Sequence, residues 1–171
     1  MFKFHQHALK AGVVAATVLG IAFTACNKDD GPPAPPAPRS TTFKLRGTGT
    51  DAARETGFIT VLENSDSSIN VTLSLGKNKK DTTHQVYFIG GSYTAPTTDT
   101  LQALDAKGNG AALTVELFKN VKKISLRQAG GATKEIPFKY NDAIAYAGHL
   151  KVKHSRFSTD TIAIGNFGKS N

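Results

Sequence analysis

The stretch Ile69–Leu75 reads INVTLSL, in which apolar and small polar residues alternate without a break. Successive side chains of a β-strand point to opposite faces, so this alternation buries one face and leaves the other in solvent. Turn-rich pieces separate it from eight segments of related pattern, at residues 42–46, 58–63, 85–89, 113–118, 123–127, 137–140, 150–154 and 161–164. The sequence therefore predicts an all-β fold, an antiparallel Greek-key sandwich or barrel of about eight or nine short strands.

One segment has some helix-forming character. Asn141 precedes an acidic residue and a mainly apolar run that ends at Ala147. An asparagine side chain can accept hydrogen bonds from the free N–H groups of a first helical turn. We predict one or two helical turns here, with a loop as the alternative.

The first 25 residues have the organisation of a secretory signal. A basic segment ending at Lys10 precedes an apolar run over residues 11–25. As a helix this run spans about 22 Å, less than the roughly 30 Å hydrocarbon core of a bilayer. It ends in FTAC, residues 23–26, which resembles the lipobox of bacterial lipoproteins, where the cysteine is acylated and becomes the first mature residue. Cys26 is the only cysteine, so an internal disulfide does not compete with lipidation.

Two short segments follow Cys26. Lys28, Asp29 and Asp30 resemble the lysine-plus-acidic export signal of Bacteroidetes surface lipoproteins. Residues 31–40 are proline-rich, which favours an extended spacer of about 30 Å. The predicted organisation is a signal peptide at 1–25, a lipidated tether at 26–40 and one β-sandwich domain at 41–171. We expect the acyl chains to anchor the protein in the outer membrane, facing the cell surface, with a periplasm-facing anchor as the alternative.

The chain stays basic after this cleavage. Loss of Lys3 and Lys10 from 21 Lys and Arg leaves 19 cations against 13 acids. The cations are scattered, with the densest groups at 77–80, 119–123 and 151–156. Scattered lysines usually keep strand edges and loops solvated, and a patch that faces a polyanion is the functional alternative. Export makes nucleic acid an unexpected partner.

The sequence offers no ready-made catalytic motif. It has no phosphate-binding glycine loop, nucleophile elbow or HExxH helix. Acylation of Cys26 would exclude cysteine catalysis, and acids are sparse among the predicted strands, which disfavours a glycosidase with paired carboxylates. We therefore expect a non-catalytic protein.

Three histidines remain after the predicted cleavage. His154 shares parity with Leu150 and Val152 and is expected to point with the apolar face, whereas His149 has the opposite parity. His84 opens another predicted strand and can meet His154 only through sheet packing. His154 and His84 are weak candidates for a zinc or copper site. A histidine satisfied by a backbone carbonyl is the simpler expectation, and we predict no cofactor.

Four segments of the C-terminal half resemble the CHRD domain, a family named for chordin. They are THQVYFIGGS at 83–92, FKYND at 138–142, AGHLKVKHS at 147–155 and IAIGNFG at 162–168. The family is similar in outline to the copper/zinc superoxide dismutase β-sandwich, so the resemblance implies that scaffold. The dismutase His-x-His copper pair corresponds to Tyr87 and Ile89, and residues 90–109 lack a histidine for the zinc loop. The resemblance thus implies a scaffold in which His154 alone matches a metal ligand.

Three tripeptides resemble the O-glycosylation sites of exported Bacteroidetes proteins. Their threonines are Thr82, Thr100 and Thr161. Chance occurrence in a threonine-rich β-protein is the alternative, and attached sugars would decorate the surface.

These patterns together favour a lipid-anchored envelope protein with a non-catalytic binding or structural role. Its expected partners are the membrane, through the anchor, and an envelope protein or glycan. One alternative is an envelope copper or zinc protein with a degenerate dismutase-like site around His154 and His84. Another is a carbohydrate-capture accessory, which requires exposed aromatic side chains along one sheet. The candidate aromatics are Tyr87, Tyr93, Tyr140 and Tyr146.

Overall fold

A computed structural model describes residues 37–170 of the chain, which form ten β-strands, one α-helix and two short 3₁₀ turns. The 3₁₀ turns are Gly49–Asp51 and Ala129–Gly131. The helix α1 is Tyr140–Ala145. The strands are β1 Ser40–Arg46, β2 Glu55–Glu63, β3 Ile69–Leu75, β4 Thr83–Ser92, β5 Ala95–Lys107, β6 Leu113–Val121, β7 Lys123–Arg127, β8 Thr133–Pro137, β9 Ala147–Lys153 and β10 Thr161–Gly168.

All ten strands belong to one antiparallel sheet that curls into a half-barrel. The strand order is β6-β3-β2-β1-β10-β9-β4-β5-β7-β8. Only Lys122 separates β6 from β7, although the two strands lie at opposite ends of this order. The amide of Gln102 on β5 also donates to the Leu117 carbonyl oxygen on β6, at 3.1 Å. The sheet therefore folds back on itself, and the all-β antiparallel prediction is confirmed.

The strand count is slightly higher than predicted because β5 was missed. Its first four residues, 95–98, are exposed and carry no alternating apolar pattern. Backbone pairing with β4 holds it in place, from Thr83 opposite Lys107 to Ser92 opposite Ala95. Main-chain hydrogen bonds form irrespective of side-chain pattern, so local periodicity carries no signal for this strand.

The strand predicted at 137–140 is wrong. The structure has a strand at Thr133–Pro137 and begins α1 at Tyr140. The Lys139 N–H donates to the Asp142 carboxylate at 3.1 Å, which satisfies the free end of the helix. The predicted short helix thus exists, but Asn141 does not cap it and instead accepts a hydrogen bond from Arg39 at 2.9 Å.

The folded domain includes two residues that the sequence assigned to the tether. Ser40 is the first residue of β1. The Arg39 guanidinium forms a two-pronged ion pair with Glu63, at 2.6 and 2.8 Å, and lies 4.4 Å from the centre of the Tyr140 ring. Two parallel N–H to carboxylate bonds fix an arginine more firmly than a single contact does. Arg39 and Ser40 therefore take part in the folded structure.

Aromatic rings fill the concave side of the curled sheet. Ring centres of Phe88 on β4 and Phe167 on β10 are 4.7 Å apart, and Phe43 on β1 lies 4.8 Å from Phe167. Phe118 on β6 bridges Phe88 at 6.2 Å and Phe138 at 5.5 Å. Tilted contacts of this kind add to the free energy of burying apolar area. The cluster joins strands from both halves of the sheet into one core.

A bulge in β6 supplies two neighbouring side chains to this core. Val71 of β3 lies opposite Phe118 and Thr72 opposite Glu116, so Leu117 has no partner in the ladder. The extra residue breaks the strict alternation of faces, and Leu117 and Phe118 are both buried.

The turn between β2 and β3 is fixed by one carboxylate. Asp66 accepts hydrogen bonds from the Ser68 hydroxyl at 2.5 Å and the Ser68 N–H at 3.0 Å, and it pairs with Lys122 at 3.2 Å. The two hydrogen bonds from Ser68, which have the largest effect, and the contact with Lys122 lower the pKa of Asp66 from 3.8 to about 2. The charged form is therefore the one that the folded state stabilises.

We expect Asp66→Asn to lower the melting temperature at pH 6. The difference in melting temperature between the variant and the wild type should become smaller as the pH falls. The carboxylate stabilises the fold at pH values above 3.8, its ordinary pKa, and this stabilisation is lost as the pH falls towards about 2. Thermal unfolding of both proteins between pH 6 and pH 2 measures the difference. Glu116→Gln is the control, since Glu116 pairs only with the exposed Lys119. A difference between Asp66→Asn and the parent that does not change with pH would contradict this assignment.

Candidate binding face

The two weak metal candidates meet at one end of the core. His84 is fully buried at the start of β4, and His154 lies just past the end of β9. Their ring centres are 5.9 Å apart. The alternation along β9 predicts that His154 lies on the same side as Val152. Because β4 pairs with β9, His84 at the start of β4 lies close to His154.

Both nitrogens of His84 are already engaged by the backbone. Nδ1 lies 2.8 Å from the His154 carbonyl oxygen, and Nε2 lies 3.3 Å from the Lys79 nitrogen. Because a carbonyl oxygen only accepts and an N–H only donates, this ring is neutral with its proton on Nδ1. No lone pair is left for a metal ion. Among residues 37–170, no three His, Cys, Asp or Glu side chains are grouped as a metal site.

His149 is held in a similar way on the other side of the sheet. It lies opposite Asn166 of β10 and Ile89 of β4, as its parity predicts, yet it is only 3% exposed. Its Nδ1 lies 2.8 Å from the Gly91 carbonyl oxygen. His149 therefore holds the end of β4 and does not join the other two histidines.

The convex side of the central strands carries a continuous row of side chains. The registers place Arg46 of β1 opposite Ile164 of β10, Ile164 opposite Lys151 of β9, and Lys151 opposite Tyr87 of β4. Directly paired residues of an antiparallel sheet share one face. Lys153 lies on the same face, opposite Gln85. We call this surface the basic face, and with its flanking loops it comprises Arg46, Gln85, Tyr87, Ile89, Tyr93, Lys151, Lys153, Arg156, Thr159, Ile164 and Asn166.

One end of the basic face is a groove of about 400 Å³ between β1 and β10. The Arg46 guanidinium lies 4.7 Å from the centre of the Tyr93 ring, a cation–π contact that orients both side chains. The Tyr93 N–H donates to Asn166 Oδ1 at 3.0 Å, which leaves the Asn166 amide nitrogen for other partners. The close approach of β1 to β10 requires a glycine, because a Cβ on Gly165 would lie 2.4 Å from the Lys44 carbonyl oxygen.

The other end of the basic face has a shallow groove on each side of Tyr87. One, of about 390 Å³, is bordered by Ile89, Lys151, Lys153 and Thr159. The second, of about 430 Å³, is bordered by a separate set of residues, Gln85, Ala103, Leu104, Asp105 and Arg156. The Tyr87 hydroxyl donates to Gln85 Oε1 at 2.5 Å, so the ring is held in a fixed orientation between the grooves.

The four cations of this face form no ion pairs within the described residues. Glu55 lies opposite Arg46 in the β1–β2 ladder and borders its groove, and it pairs with Lys44. The ion pairs within residues 37–170 use Arg39, Lys44, Lys119, Lys122 and Lys123. Arg46, Lys151, Lys153 and Arg156 form none of them. Asp105 is the one acid that borders the grooves beside Tyr87, and it accepts from Gln85 at 3.4 Å. The face therefore attracts anions.

The four tyrosines do not form a single exposed row. Tyr87 and Tyr93 are half-buried at opposite ends of the basic face. Tyr140 is buried, with its hydroxyl 2.5 Å from that of Thr41. Tyr146 packs on Phe138, and burial, followed by the nearby Asp99 charge, raises the pKa of its hydroxyl. Only two of the four candidates are thus available to a ligand on this face.

The remaining predicted sites are dispersed or lie outside the described residues. Thr82, Thr100 and Thr161 are all partly exposed, on three different strands or turns. Cys26, Lys28, Asp29 and Asp30 lie outside the described residues. No helix within residues 37–170 is both long and apolar enough to cross a bilayer.

The sequence identified some members of the basic face and missed others. Tyr87, Tyr93 and the cations at 151–156 were singled out as separate groups, whereas Arg46, Gln85 and Asn166 were not. These residues are brought together by pairing between strands that are distant in sequence, so no short motif indicates that they share a surface. No family model, curated protein or solved structure matches the chain. The resemblance to the CHRD domain therefore stays a prediction.

Proposed function

We propose that this chain is a non-catalytic, lipid-anchored protein of the cell envelope that binds an anionic partner through the basic face. One observation carries the binding role: four cations without ion-pair partners share a continuous surface with two oriented tyrosines. Arginine beside aromatic rings is a typical composition of binding surfaces. The grooves are shallow and hold no cluster of acids and histidines, which suits recognition better than chemistry.

The anchor rests on the sequence of the first 40 residues. The basic start, the short apolar run and Cys26 support acylation, and the segment before Arg39 supports a spacer. Two or more acyl chains would hold the protein at a membrane, each contributing about 0.8 kcal/mol per buried methylene. The outer membrane and the cell surface are the proposed location.

Acylation is tested by metabolic labelling with palmitate. We expect the wild-type chain to incorporate label and to sediment with the membrane fraction. Cys26→Ser should incorporate none and should be recovered without the mature N-terminus, because acylation precedes cleavage. Label retained in Cys26→Ser would contradict an anchor at this residue.

The binding role is tested by retention on immobilised polyphosphate, a polyanion without sugar rings. We expect the triple variant Arg46→Ser, Lys151→Ser, Lys153→Ser to elute at clearly lower salt than the wild type, because three clustered charges act together on a polyanion. The matched control removes one arginine and two lysines that are exposed away from this face: Arg127→Ser, Lys77→Ser, Lys134→Ser. The control should elute close to the wild type. Equal shifts in both variants would mean that the charges act as a scattered population, and the basic face would not be a site.

A further inference from the structure

We infer that the ligand of the basic face is a linear acidic polysaccharide whose carboxylates contact the cations while its sugar rings stack on Tyr87 and Tyr93. This inference rests on the proposed binding role and adds the ligand class.

The two ends of the face are far apart for a small ligand. Arg46 and Tyr87 lie three strands apart, on β1 and β4 with β10 and β9 between them. Neighbouring strands are about 4.8 Å apart, so the two side chains are separated by roughly 14 Å along the sheet surface. Lys151 lies between them in the same row. An extended ligand with repeating negative charge fits this arrangement, and a single small anion does not.

The groups at each end can recognise hydroxyls as well as charge. Tyr93 and Tyr87 each present a ring held by a neighbouring contact, which lowers the entropy cost of stacking a flat ligand ring on it. The free Asn166 amide nitrogen and the Thr159 hydroxyl provide donors and acceptors for alcohols. Arginine and lysine supply charge-assisted hydrogen bonds to carboxylates. Sugar acids combine these three features in one repeating unit.

The same surface is less suited to a lipid bilayer or to the apolar centre of a protein interface. Ile89 and Ile164 on the face are only partly exposed and lie among charged and polar neighbours. Membrane-binding surfaces place large apolar side chains outward beside their cations. Phe157 is 95% exposed beside Arg156 in the loop after β9, and it is a single side chain outside the row itself. We therefore treat vesicle binding as a contrary outcome of the test.

The experiment is calorimetric titration of the full-length protein in detergent micelles with defined oligosaccharides. The probes are trigalacturonate, hexagalacturonate and a neutral galactose hexamer. We expect hexagalacturonate to bind at least about tenfold more tightly than trigalacturonate, since only the longer chain reaches both tyrosines. The neutral hexamer should not bind measurably. Equal affinity for the trimer and the hexamer, or binding of the neutral hexamer, would overturn the inference.

Variants at Tyr87 separate stacking from charge. We expect Tyr87→Ala to weaken hexagalacturonate binding by about tenfold, and Tyr87→Phe, which keeps the ring, to weaken it by less than about threefold. Retention of both variants on immobilised polyphosphate should match the wild type, because polyphosphate has no ring to stack and neither variant removes a cation. Unchanged affinity of Tyr87→Ala for hexagalacturonate would contradict the stacking role. Loss of polyphosphate retention in Tyr87→Ala would indicate a damaged fold, which circular dichroism would reveal, and Tyr93→Ala would then serve as the second test.

Three further outcomes identify which proposal fails. Tight binding to anionic phosphatidylglycerol vesicles that is lost in Phe157→Ala, without hexagalacturonate binding, would replace the glycan with a membrane surface. Retention on polyphosphate that depends on Arg46, Lys151 and Lys153, again without hexagalacturonate binding, would leave the binding role intact and overturn the ligand class. Retention that does not depend on these three residues would overturn both.

Discussion

Replacement of Phe88 by alanine is expected to lower the free energy of unfolding by about 3–5 kcal/mol. Phe88 is fully buried and contacts Phe167 and Phe118, which lie on strands from different parts of the sheet. Its removal leaves a cavity at the junction of these strands, and the surrounding rings are too constrained by their own neighbours to fill it. Urea unfolding followed by circular dichroism gives the free energies of the two proteins.

Phe157→Ala is the matched control for that measurement. The same change of residue is made at a side chain that is 95% exposed, so we expect a difference within about 0.5 kcal/mol. Comparable losses in the two variants would mean that Phe88 is not at the centre of the core. A loss below about 1 kcal/mol in Phe88→Ala would lead to the same conclusion.

His84→Ala is expected to cost about 2–4 kcal/mol, the second largest effect. The substitution removes a buried ring and leaves the Lys79 N–H and the His154 carbonyl oxygen without their partners. A polar group in the interior has lost its hydrogen bonds to water, and without a partner in the protein this desolvation lowers the stability of the folded state. The loop before β4 and the end of β9 are both held by this ring, so amide hydrogen exchange should accelerate at both places.

His154→Ala separates the structural role of His84 from a role of the histidine pair. The carbonyl oxygen of residue 154 belongs to the backbone and survives the substitution, and the side chain is partly exposed. We expect a change of less than about 1 kcal/mol. Equal destabilisation by His84→Ala and His154→Ala would show that the ring contact, and not the pair of backbone hydrogen bonds, holds the two segments together.

The sequence predicted strands well where apolar and polar side chains alternate in step with the two faces of the sheet. Ile69–Leu75 is a strand with the predicted alternation, because its four apolar side chains point into the core and the polar ones between them do not. The pattern failed at β5, where backbone pairing acts on exposed polar residues, and at Tyr140, where a helix replaces a predicted strand end. At Leu117 a bulge allows Phe118 to be buried, although strict alternation from Leu113 and Val115 would expose it. Each failure reflects a local exception to the period of two.

The site was less accessible to sequence reasoning than the fold. Alternation predicts that Tyr87 and Lys151 face outward, but it does not say that they lie side by side. That neighbourhood depends on the order of strands and on their register, which are set by the packing of the whole core. Arg46 is about a hundred residues from its row partner Lys151 in the chain, and nothing near it in sequence marks it as part of a surface.

The adjacency of β1 and β10 has a consequence for the time at which the domain is completed. The first strand and the last strand are neighbours in the middle of the sheet, and Arg46 opposite Ile164 is their pairing. A nascent chain can form the hairpins β1–β2 and β4–β5 early, but β1 and β9 cannot be joined through β10 until β10 has been made. A chain that stops before Thr161 would therefore expose the edges of β1 and β9, which β10 covers in the complete sheet. Insertion of β10 between these two strands is thus expected to be a late step in the assembly of the sheet.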